Sequence, residues 1–266
     1  MTKPGSPYEE PQDLFASQRI ARVLRDKTVR SRPPIPWAGW LLLLLALPLW
    51  LLLIVLGFQA PGEAVGFTIP LGCFLAIFMI RAGLRLLAKS ALELIEQSHM
   101  RPVLLLRAFE FDHVPVLRSL SGYDYQDTLV QELKKCCGGP IVAVASPRTH
   151  SGRSARYSQF YISDDDWQEV VRFLMTECER VVLIIGRSVG IQWEVEEAIR
   201  TVPSSRLLLD CGMLLEDDDP YRVVAYLNRR DWLPSFIVDF PEKFRYLSFD
   251  DDWKPILSTS LPWSTR

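Results

Sequence analysis

The hydrophobic pattern changes character along the chain, and each change predicts a different kind of element. Residues 1–13 (MTKPGSPYEEPQD) are polar and proline-rich, a composition that builds no core. From Leu14 to about Val29, the apolar residues Leu14, Phe15, Ile20, Val23 and Leu24 are set among arginines. That spacing predicts a short basic amphipathic helix, lying on an anionic leaflet or serving as a solvated positive flank. Pro33, Pro34 and Pro36 break it. Trp37–Phe58 (WAGWLLLLLALPLWLLLIVLGF) is then apolar throughout and carries no charge. A helix rises about 1.5 Å per residue, so about 20 residues cross the ~30 Å hydrocarbon layer. A second apolar run, Ala64–Ile80, follows after only Gln59–Glu63, and the two read as a transmembrane hairpin. The second run is short and holds Pro70. It spans if the stems of Arg81 and Arg85 snorkel to the headgroups, and a re-entrant segment is the competing reading. A cleaved signal peptide fits poorly, because the segment before the apolar run is too long and no A-x-A-like site follows.

Beyond about Arg101 the pattern becomes short apolar runs alternating with amphipathic ones. Pro102–Phe109, Ile141–Ala145, Val181–Ile185, Arg206–Leu209 and Phe236–Phe240 read as strands. Tyr123–Cys137, a segment from Trp167 with the stripe Val170, Val171, Leu174 and Cys178, Trp193–Arg200 and Tyr221–Arg229 read as helices. Strand–helix alternation with continuous apolar strands predicts an α/β domain: a mostly parallel five-stranded sheet with helices on both faces. The expected organisation is a basic segment 1–36, the hairpin 37–88, the α/β domain 101–249 and a tail 250–266. In such sheets ligands bind beyond the carboxyl ends of the strands. This nominates Phe109–Asp112, Ser146–Arg148, Gly186–Ile191 and Asp210–Gly212.

Charge sets the orientation. Arginines and lysines from Arg19 to Arg32 precede the first span, Arg81, Arg85, Lys89 and Arg101 follow the second, and the connection holds only Glu63. The positive-inside rule puts both termini in the cytoplasm, with the bilayer as a partner. The net charge is −2, which gives no reason to expect nucleic acid. The five cysteines show no C-x-x-C or C/H spacing, and His99, His113 and His150 are scattered, so no metal site and no cofactor is expected. The acidic runs Asp164–Asp166, Glu216–Asp219 and Asp250–Asp252 lack calcium-loop spacing.

The segment with the most chemistry is Val181–Arg200 (VVLIIGRSVGIQWEVEEAIR), where a strand empties into a Gly/Ser loop and enters a helix at a Trp-Glu pair. Glu194 and Glu197 are three apart and share a helical side. A carboxylate in a pocket there could stabilise a developing ribosyl cation or hold a ribose hydroxyl. Acidic residues also favour a first helical turn whatever the function. Gly186, Arg107, Ser146 and Arg148 are candidate contacts to a nucleotide.

The order Ser188, Trp193, Glu197 after a strand resembles the core of Toll/interleukin-1 receptor (TIR) domains, whose pattern is Ser, a few residues, Trp, three residues, Glu. A second resemblance, Gly190-x-x-x-Glu194, is to nucleoside deoxyribosyltransferase-like domains. Both families act on N-glycosidic bonds, so the resemblances agree on chemistry and differ on the residue. They imply a flavodoxin-like/TIR-like fold, NAD or a related nucleotide as substrate, and self-association at a bacterial membrane in defence or stress signalling. The first strand departs from the TIR pattern: the Ser-Tyr pair is missing, and Arg107, Phe109 and Asp112 stand there instead. The alternative is a non-enzymatic interaction module, in which both glutamates are solvated. A transport or lipid-modifying role is disfavoured, because neither span holds an intramembrane charge.

Overall fold

A computed structural model of the chain describes residues 12–27, 36–59, 62–87, 90–107, 125–145, 158–229, 233, 237 and 240–263. Two compact units divide it: the helices Gln12–Lys27 and Ala91–Gln97 and the sheet with its helices form one, and the helices Pro36–Gln59 and Gly62–Leu87 form the other.

The second unit pairs α2 (Pro36–Gln59) with α3 (Gly62–Leu87). Trp37–Leu56 within α2 is long and apolar enough to cross a membrane, and the apolar part of α3, Pro70–Leu84, is shorter. The helices run antiparallel: Gly39 meets Gly83 and Leu87, while Trp50 and Leu53 meet Gly72. The Trp50 indole N–H donates to Cys73 Sγ at 3.4 Å. A Cβ on Gly39 would lie 2.9 Å from the Gly83 carbonyl oxygen, and a Cβ on Gly83 equally close to the Gly39 oxygen. Small residues let two helix backbones approach this far. Gly39→Val should therefore force the pair apart at a cost of about 1–3 kcal/mol. The expected result is a lower melting temperature of the helical circular-dichroism signal of the full chain in mild detergent.

The α/β unit contains a seven-stranded sheet of β1 (Val103–Arg107), β2 (Ile141–Ala145), β3 (Ser158–Tyr161), β4 (Arg180–Ile184), β5 (Leu207–Asp210), β6 (Tyr246–Phe249) and β7 (Pro255–Ser258), in the order β3-β2-β1-β4-β5-β6-β7. β1 pairs in parallel with β2 and β4, and β4 with β5. β6 and β7 join antiparallel. The helices of this unit are α1 (Gln12–Lys27), α4 (Ala91–Gln97), α5 (Tyr125–Cys136), α6 (Trp167–Glu177), α7 (Val189–Thr201), α8 (Gly212–Asp217) and α9 (Pro220–Arg229). Alternation along the strands sorts the core. Leu104, Leu106, Val181, Leu183, Leu207 and Leu209 join one cluster with residues of α1, α4, α6, α7 and α9. Leu105, Val182, Ile184 and Leu208 are buried on the opposite side. There α5 buries Leu129, Val130 and Leu133, and its Glu132 accepts a 2.6 Å hydrogen bond from the Tyr246 hydroxyl of β6.

The sheet differs from the sequence expectation at its end. Among the described residues seven strands stand where five are expected, and of the expected fifth, Phe236–Phe240, the described residues Ile237 and Phe240 lie in no strand. Both backbone groups of Ile237 are taken by the Asn228 side chain of α9, each at 2.9 Å, which leaves nothing for a ladder. The place beside β5 goes to β6, and β7 lies in the stretch read as a tail.

The N-terminal helix also differs. Ala16, Ile20, Ala21 and Leu24 of α1 are buried, and Ile20, Ala21 and Leu24 belong to the main core cluster. Its basic side is matched by acids of the same unit. Arg19 pairs with Glu177 at 3.0 Å, Arg25 with Glu96, and Lys27 with Asp166 at 2.7 Å. Ile20, Ala21 and Leu24 of α1 are thus spent within the core of the α/β unit.

Candidate functional site

β4 ends at Ile184, and the ladder reaches one residue further, because the Ile185 N–H donates to the Asp210 carbonyl at 2.9 Å. The chain then turns through three residues, each held differently. Gly186 is buried and its carbonyl accepts from the Tyr226 hydroxyl at 3.2 Å. Arg187 is exposed and paired with Asp218. Ser188 is the N-cap of α7, its hydroxyl oxygen accepting from the Ile191 N–H at 3.4 Å. A serine at that position satisfies one of the otherwise orphaned amides, which is why α7 begins well before Trp193, where the apolar pattern alone would start it. The junction lies at the carboxyl ends of β1 and β4, where strand order reverses, because β1 has β2 on one side and β4 on the other.

Trp193 is half-buried and packs edge-on against Trp167 of α6, with ring centroids 4.7 Å apart. The Arg172 guanidinium lies 5.9 Å from the Trp193 ring. Glu197, one turn on, is 2% exposed and doubly held. Arg172 Nε donates to one carboxylate oxygen at 2.7 Å, and Arg200 donates to the other. Burial by itself would raise the Glu197 pKa, but these two hydrogen bonds outweigh it and hold the group below the usual carboxylate range. Ser188, Trp193 and Glu197 are therefore each accounted for by structure alone, as a helix cap, an aromatic contact and an ion pair joining α7 to α6.

Glu194 differs in its partners. It is also 2% exposed, but its Oε2 has no hydrogen-bond partner among the described residues. Of the other buried residues of α7, Ile191, Val195 and Ala198 are apolar and Glu197 is the exception. Burial alone pushes its carboxyl up to about 8. One turn earlier on the same side is Gly190, where an added Cβ would meet nothing within 4 Å. A buried polar group without a partner costs about 1–3 kcal/mol, which selection tolerates most readily where the group serves chemistry.

Arg107 ends β1, is 6% exposed, and stands in register with Ile184. Phe109, Asp112, Ser146 and Arg148 lie outside the described residues. Sequence reasoning did not find Arg172, Arg200 or Tyr226. Arg200 is three residues from Glu197 and was visible in principle, whereas Arg172 comes from a neighbouring helix. A second polar cluster closes the end of β5. Asp210 is fully buried and accepts from the Gly212 N–H at 3.0 Å and from Arg245 at 3.3 Å. Its acceptors are supplied, so it reads as a structural tie between β5 and β6. Burial also raises the Cys211 thiol pKa, which keeps it protonated. Among the described residues no group of three His, Cys, Asp or Glu side chains is placed to hold a metal ion. Comparison with protein-family models, with curated proteins and with solved structures found no match.

Proposed function

We propose that the α/β unit is a flavodoxin-like, TIR-like enzyme, held at a membrane by its apolar helices, that breaks the N-glycosidic bond of NAD or a related nucleotide, with Glu194 as the reacting carboxyl. The observation that carries this reading is the buried Glu194, whose Oε2 has no hydrogen-bond partner among the described residues; the open space at Gly190, one turn earlier, is assigned to substrate. The parallel order β2-β1-β4-β5 supports the fold assignment. Of the two motif alignments, Gly190-x-x-x-Glu194 is favoured, because packing alone accounts for Ser188, Trp193 and Glu197 and leaves Glu194 with no structural role.

The chemistry follows from the carboxyl's state. As the bond between the nitrogen and the anomeric carbon breaks, the nitrogen keeps the electron pair and the sugar becomes cationic. Water then adds to that carbon and releases a proton. A carboxylate buried among apolar side chains stabilises such a cation far more than one in water would. Glu194 is largely protonated at neutral pH in the free protein. A cationic pyridinium ribosyl group brings the charge that this site lacks and draws off the proton. Cationic nucleotides are thus favoured over neutral nucleosides.

The test is incubation of the full chain in detergent or nanodiscs with NAD and a nucleoside panel, with chromatographic product analysis. Gly190→Leu should block turnover by filling the space, whereas Gly190→Ala should keep activity and add about 1 kcal/mol of stability through helix propensity. Equal activity of wild type and Gly190→Leu would contradict the assignment of the space to substrate.

A further inference from the structure

The outer halves of α2 and α3 are apolar. Leu44, Leu47 and Leu52 of α2 and Phe74, Ile77 and Phe78 of α3 are all half or more exposed. Trp37–Leu56 is only 11% buried. A helix pair in water would carry polar residues on that side. Apolar surface of this extent needs a partner, and 24 residues of α2 make about 36 Å of helix, enough for a hydrocarbon layer.

The chain on either side of the hairpin returns to one folded body. α1 precedes it and α4 follows it, yet Ile20 and Leu24 of α1 share a buried cluster with Ile95 of α4, and Arg25 pairs with Glu96. A single crossing of a bilayer would strand α1 on one side and α4 with the sheet on the other, and would dismantle that cluster. The number of crossings is therefore even. The apolar outer halves argue against zero.

We infer that α3 crosses the lipid bilayer together with α2, so that the end of α2 and the start of α3 lie across the bilayer from α1 and α4. The re-entrant alternative for the second apolar run is then disfavoured, and the partner of the outer halves is lipid hydrocarbon. The close backbone contact at Gly39 and Gly83 suits this setting, since helices in lipid associate through small residues and van der Waals packing. The inference rests on the membrane part of the proposed function and is independent of the chemistry at Glu194.

The experiment uses the full chain in sealed membrane vesicles of known orientation, with Cys136→Ser to remove the half-buried thiol of α5. Gln59→Cys reports the connection, and Asp251→Cys reports the exposed turn between β6 and β7. A membrane-impermeant maleimide should label the two variants from opposite sides, and both after detergent. Labelling of both from the same side would overturn the inference. So would release of the chain by alkaline carbonate as a soluble dimer, because the outer halves would then be covered by a second copy.

Discussion

Glu194→Gln is expected to make the protein more stable above neutral pH while removing its turnover. The native carboxyl titrates near 8, against an ordinary value of 4.5. Between those values the folded state holds a proton that the unfolded state has lost. Stability therefore falls as pH rises from about 4.5 to about 8, with a slope of about 1.4 kcal/mol per pH unit at its steepest. Below that window Glu194 is neutral in both states and costs no more than an amide of the same shape. Above it the protein carries a buried, unpaired charge, or opens to solvate it. Glutamine cannot ionise, so its advantage should be absent near pH 4.5 and reach a few kcal/mol above pH 8, several degrees in melting temperature for a domain of this size. Thermal melts of both proteins from pH 5 to 9 test this, and parallel curves would contradict it. The loss of turnover should be on the order of 10²–10³, as when a single preorganised electrostatic group is removed from a site. A gain in stability paired with a loss of activity is what a group retained for chemistry produces, and a packing residue does not.

Glu197 should behave in the opposite way. Its carboxylate is buried, while its partners Arg172 and Arg200 are half-exposed or more. Arg172→Met combined with Arg200→Met strands a buried charge, and the melting temperature should fall by roughly 10 °C. Adding Glu197→Met to that pair should restore most of the loss, because the charge that needed a partner is gone. The pH dependence also reverses. The folded pKa of Glu197 lies below its ordinary value, so its contribution is present above about pH 4.5 and is lost as pH falls through the depressed value. Glu197→Gln should lower stability near neutral pH and matter little in strong acid. If the Arg172→Met/Arg200→Met protein melts with the wild type, Glu197 does not depend on its ion pairs, and Arg172 is not holding α6 to α7.

The strands β1, β2, β4 and β5 could be read from the sequence because each is a continuous apolar run, as a sheet buried on both faces requires. β3 (SQFY), β6 (YLSF) and β7 (PILS) are short and mixed in polarity, and their place follows from pairing with neighbours, which no local pattern encodes. Phe236–Phe240 looked like a strand for the same local reason, and Asn228 shows what local reading omits. The helical period of α1 was legible, but its partner was not: only the tertiary structure supplies Glu96, Asp166 and Glu177. The site followed the same rule. The loop, the helix and both glutamates were visible from Val181 to Arg200. Their separation into one ion-paired and one unpartnered carboxyl depends on Arg172, which arrives from another helix.

The most direct measurement compares wild type, Glu194→Gln and Glu197→Gln at equal folded concentration, each incubated with NAD at neutral pH and assayed for released nicotinamide. The prediction is that wild type releases it, Glu194→Gln does not, and Glu197→Gln retains activity in proportion to the folded protein that remains. Turnover that survives in Glu194→Gln and vanishes in folded Glu197→Gln would contradict the assignment.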